Sequence, residues 1–143
     1  LLWGITAGLA MGVYVIFLNL FNEGENIVLN FMKNIFLLGA LSYILPKYRN
    51  YNLTISFFQK AMSLGATTTF YSCVTLVVIY FVVGAIEPTW TFNYYAMPVD
   101  SIGDVITNAF IIFFEVLVFG IISSFIWVQW LKGRDEHVVD NVK

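Results

Sequence analysis

Four stretches of about twenty apolar residues dominate the chain, and they limit its fold more than any other feature. A helix that crosses about 30 Å of hydrocarbon needs roughly 20 such residues. The first stretch runs from Leu1 to about Phe21 without a charge. The second runs from about Ile27 to Leu45, interrupted only by Lys33 and two asparagines, Asn30 and Asn34. The third, from about Ala61 to Ile86, is again uncharged, and the fourth, from about Val105 to Leu131, holds one acid, Glu115. Backbone amides in lipid must be bonded within their own segment, so runs of this length are expected to be helices. The expectation is an all-α, integral membrane four-helix bundle, a single transmembrane domain over residues 1–143.

Only 11% of the 143 residues are charged and 59% are hydrophobic, against about 25% charged in an average soluble domain. That excludes a disordered chain, and a formal charge of −2 argues against a nucleic-acid partner, which needs a basic footprint. The single cysteine, Cys73, excludes an internal disulfide or a cysteine-based zinc site. The single histidine, His137, excludes a haem held by two histidines. No glycine-rich phosphate loop, metal-ligand spacing or nucleophile triad stands in the sequence. No catalytic residue, metal or cofactor is therefore expected, nor an enzyme.

Local signals mark the helix ends. Ser56-Phe57-Phe58-Gln59 fits a capping box and sets the start of the third helix near Ser56. Pro88, after Glu87, is expected to stop that helix, and Pro46 to close the second. Ser101-Ile102-Gly103-Asp104 is a weaker box for the fourth helix. The residues after Leu131 are expected to form a tail. The first stretch has no basic start and no cleavage pattern, so it is read as a span rather than a signal peptide. Because Leu1 is not an initiator methionine, further residues are expected before it.

Basic residues in short loops favour the cytoplasmic side. Lys47, Arg49 and Lys60 fill the second connector, and Lys132 and Arg134 follow the fourth span. The first connector carries Glu23 and Glu25; the third carries Glu87, Asp100 and Asp104. Four spans put these two groups on opposite sides, with both termini cytoplasmic. Tyr48, Tyr51, Trp127 and Trp130 are expected at the inner interface, and Trp90, Tyr94 and Tyr95 at the outer one, as headgroup-level anchors.

Lys33 and Glu115 are the ionisable residues inside spans. Glu115 lies roughly 15 Å deep and Lys33 roughly 9 Å deep by helix rise. Both fall in the outer half, on helices that run the same way, so a contact between them is geometrically open. Lys33 could instead snorkel outward while Glu115 stays protonated or hydrogen-bonded. The pair could fix helix register, or Glu115 could be a proton or cation site. Asn30, Asn34, Thr67 to Thr69, Ser72 and Thr75 add polar groups that also serve as interhelical glue.

Gly4, Gly8 and Gly12 recur every fourth residue on one face of the first helix, with Ala7 beside them. Such a face lets another backbone approach closely, whether from this chain or from another. Gly39 with Ala40, Ala61 with Gly65, and Gly120 with Ser123 offer smaller versions.

The stretch Lys47-Tyr48-Arg49, Ile55-Ser56-Phe57, Gln59-Lys60-Ala61, Gly65 and Glu87-Pro88 resembles a family of small four-helix inner-membrane proteins of gram-negative bacteria, catalogued only as a domain of unknown function. The resemblance implies four spans and a bacterial inner-membrane address, and brings no catalytic residue. The leading expectation for function is a non-catalytic accessory subunit of a larger inner-membrane complex, respiratory or secretory, packed among lipid and other subunits. On that account Gly8→Leu weakens association with a partner on the glycine face. The alternative is a small proton- or ion-coupled transporter that works through Glu115. A homo-oligomer built on the glycine face is a third.

Overall fold

A computed structural model describes residues 1–21, 26–49, 57–86 and 102–140, and the side chains of all of these except 49, 57, 102 and 132–140. Among the described residues five helices follow one another: α1 (Leu2–Leu20), α2 (Ile27–Met32), α3 (Asn34–Arg49), α4 (Phe57–Ile86) and α5 (Ile102–Asp140). Helices α2 and α3 are two pieces of one span, Ile27–Tyr48. With Leu2–Leu20, Phe58–Ile86 and Gly103–Leu131 it makes four helices long and apolar enough to cross a membrane.

The distribution of side chains inverts that of a water-soluble bundle. Phe17, Phe31, Val78, Phe114, Ile126 and many other large apolar residues point outward, while Asn30, Lys33, Asn34, Thr68, Thr69, Ser72, Asn108 and Ser124 are buried. Such a distribution suits surroundings as apolar as lipid tails, in which nothing drives outer side chains inward and polar groups gain by meeting inside. The apolar core is built from Met11, Leu37, Leu41, Leu45, Cys73, Leu76, Ile112, Val116 and Val128.

Helix α1 neighbours α3 and α4, α5 neighbours the same two, and α3 and α4 also meet each other. Helices α1 and α4 meet backbone to backbone. A Cβ on Gly4 would stand 2.6 Å from the Thr68 carbonyl oxygen, and one on Gly8 2.7 Å from that of Ser72. Gly12 faces Ile79. The Ser72 hydroxyl closes this seam, 2.9 Å from the Gly4 carbonyl oxygen and 3.0 Å from that of Thr68. The partner of the glycine face is thus α4 of the same chain, not a second protein. On the other side of α4, Gly65 faces Ser124 and Gly120 faces Thr69, so α4 and α5 also pack small against hydroxyl. Gly39, by contrast, has open space where its side chain would be.

Two helix ends depart from expectation. Pro46 lies inside α3, which continues to Arg49. A proline removes one backbone donor, and here that loss falls within the final turn, where the helix can continue for three residues more. The fourth span does not give way to a tail at Leu131: α5 stays helical to Asp140, 39 residues in all. Those residues cover roughly 58 Å at 1.5 Å each, about twice the hydrocarbon thickness. Asp104 stands in its first turn, where an acid complements the helix dipole. Ser56, Glu87, Pro88 and Ser101 lie outside the described residues, as do Tyr51, Trp90, Tyr94 and Tyr95.

Candidate functional site at the break in the second span

The span formed by α2 and α3 breaks at Lys33. Asn26 caps its start, its side chain accepting from the amides of Val28 and Leu29. At the break the Lys33 amide donates to the carbonyl of Asn30, three residues back, at 3.3 Å. The Phe36 amide likewise donates to Lys33, at 3.1 Å. An unbroken α-helix would instead join Lys33 to Leu29. The carbonyl of Leu29 is therefore released, and the hydroxyl of Tyr14 on α1 donates to it at 3.0 Å. This fits the rule that irregular backbone at membrane depth must be satisfied by neighbouring groups.

The same break turns the Lys33 side chain inward. Lys33 is fully buried, and its Nζ donates to the Asn30 carbonyl at 3.1 Å and to Glu115 Oε1 at 2.9 Å. Asn34 Nδ2 donates to that same Oε1 at 3.1 Å. Glu115 is 14% exposed, so the carboxylate sits between the bundle interior and its surface. Lys33 does not snorkel: its Nζ reaches Glu115 on α5, and that opposite charge, with the Asn30 carbonyl, offsets the cost of leaving water. Because the Asn34 amide nitrogen must face the carboxylate, its Oδ1 points elsewhere, and that atom is buried without a hydrogen-bond partner. Phe31 and Phe119, ring centroids 5.6 Å apart and edge to face, flank the site.

The other candidate residues separate from this one. Gly4, Gly8 and Gly12 are occupied by α4. Lys47 and Lys60 are exposed near the connector between α3 and α4, while the side chains of Arg49, Lys132 and Arg134 lie outside the described residues. Trp127 and Trp130 pack edge to face at 5.2 Å. Among the described residues no three His, Cys, Asp or Glu side chains gather in a way that could hold a metal ion. The residue that sequence reasoning passed over is Tyr14. Its place in an uninterrupted apolar run gives no sign that the Leu29 carbonyl, in the next span, would be released.

The described residues thus define a helical bundle with four span-length helices and an interior ion pair. Comparison of the chain with protein families, curated proteins and solved structures finds no match in any of the three.

Proposed function

We propose that the chain is a multi-pass membrane protein that moves protons or small cations, with Glu115 as the exchanging group and Lys33 as its built-in counter-cation. The observation that carries this is the fully buried Lys33 ammonium, 2.9 Å from Glu115 Oε1 at a break in a span. Ionisable residues at such depth are costly and mark ion pathways, and broken spans commonly border binding sites. Protonating Glu115, or bringing a second cation to it, weakens its hold on Lys33. The unpartnered Asn34 Oδ1, on an amide already bonded to the carboxylate, is a further ligand for an incoming cation or water. The charge pattern supports both termini on the cytoplasmic side, and the family resemblance supports a bacterial inner membrane.

Proteoliposomes with a trapped pH dye test this under outward gradients of monovalent cations. The wild type is expected to couple a gradient to proton movement, and Glu115→Gln to fall to the level of empty vesicles. Wild-type flux no greater than that of empty vesicles rejects the proposal.

A second reading is the non-catalytic accessory subunit. It draws support from an apolar cleft of about 280 Å³ between α4 and α5, lined by Val77, Phe81, Ile106 and Phe110 among others, which a neighbour's side chains could fill. Gentle-detergent purification with mass spectrometry tests it: a stable particle with other subunits is the expected outcome, and a particle of this chain alone counts against it. A homo-oligomer is the outcome in which that particle holds several copies.

A further inference from the structure

A second cleft, of about 310 Å³, lies between α1 and α3, at the lower end of the volumes that bind small molecules. Its floor is made of small residues, Ala7 and Ala10 from α1 and Gly39 and Ala40 from α3. Facing small residues in a bundle normally let two helices close on each other. Here they do not: nothing lies within 4 Å of the position a Gly39 side chain would take. Gly4 and Gly8 of α1 are instead pressed against α4.

At one end of the cleft Trp3 and Tyr43 pack with centroids 4.7 Å apart, a pair suited to headgroup depth. One helical turn further on, Lys47 Nζ sits 5.4 Å from the centre of the Tyr43 ring and 3.5 Å from its hydroxyl. Neither α1 nor α3 carries an acidic residue to neutralise that ammonium. Lys47 stands eight residues beyond Gly39, roughly 12 Å along the helix.

We propose that this cleft holds one anionic phospholipid, an acyl chain lying over Gly39 and Ala40 and the headgroup phosphate meeting Lys47 beside the Trp3–Tyr43 pair. An acyl chain is narrow enough to fill a cleft lined by small residues, and a phosphate supplies the charge that the two helices lack. Neither Lys33 nor Glu115 lines the cleft, and the proposal requires only that the bundle sits in a bilayer.

The test is native mass spectrometry of the full chain in mild detergent with an equal mixture of dioleoyl phosphatidylglycerol and dioleoyl phosphatidylcholine. The wild type is expected to retain one lipid, with about a fivefold preference for the anionic one. Lys47→Gln is expected to keep lipid binding but lose the preference. Gly39→Leu, whose Cβ has no atom within 4 Å, is expected to lose both lipids while its helicity and particle size stay unchanged. Equal retention of the two lipids by the wild type overturns the proposal, as does an unchanged preference in Lys47→Gln or unchanged binding in Gly39→Leu. A lipid-free particle of two chains that Gly39→Leu separates also overturns it and assigns the cleft to a second copy.

Discussion

Two interhelical seams of this bundle are built on opposite principles. Between α1 and α4 the chain removes side chains: Gly4 and Gly8 leave so little space that an added Cβ would meet the backbone carbonyls of Thr68 and Ser72. Between α3 and α5 it adds charge, joining Lys33 to Glu115 through a broken span. The first seam gains dispersion and a hydroxyl bond without burying a charge. The second must bury an ammonium, and buried ion pairs seldom repay their desolvation as stability. A seam that costs this much within span-length apolar helices is where function is to be sought, whereas the glycine seam explains how the bundle holds together.

The largest expected effect comes from breaking the charged seam on one side. Glu115→Leu leaves the Lys33 ammonium buried without its opposite charge, and should cost about 3–5 kcal/mol, read as a lowered midpoint of unfolding in detergent. A midpoint within error of the wild type would show that Lys33 can reach water. Next comes the glycine seam. Gly8→Leu forces α1 from α4 and should cost roughly 1–3 kcal/mol, whereas Gly39→Leu in open space should leave stability unchanged; equal losses at the two positions would contradict the assignment of α4 as the glycine partner. Smaller still is Tyr14→Phe, which returns the Leu29 carbonyl to an unsatisfied state and should cost about 1 kcal/mol. Ser72→Ala should cost about 0.6 kcal/mol, typical of interhelical hydroxyl bonds in membranes; a loss there greater than that of Gly8→Leu would reverse the ranking of side-chain removal over hydroxyl bonding in this seam.

The two seams also differ in how far they could be read from the sequence. Gly4, Gly8 and Gly12 announce a close approach by spacing alone, because four residues return to one helix face. What spacing cannot say is which helix approaches: a neighbour from this chain and one from another both fit it, and the structure puts α4 there. Lys33 and Glu115 stand out as charges within apolar runs, and their depths allowed a contact. Snorkelling stays open in the sequence because the direction of Lys33 depends on a local shift from i−4 to i−3 bonding, which no composition rule encodes. The same shift creates the role of Tyr14, invisible until the Leu29 carbonyl is seen to be released. At the helix ends, proline punctuation overruled too little: Pro46 sits near enough to the end of α3 that one missing donor does not stop it.

The most direct test of the central claim is proton movement by the double variant Lys33→Met/Glu115→Leu in proteoliposomes, measured beside its unfolding midpoint. Replacing both partners with apolar groups removes the uncompensated charge, so the double variant should recover most of the stability lost by Glu115→Leu alone. If the pair is the exchanging site, this well-folded variant moves no more protons than empty vesicles. A double variant that folds and carries wild-type flux would contradict the account, and would leave the ion pair a device for holding α3 against α5.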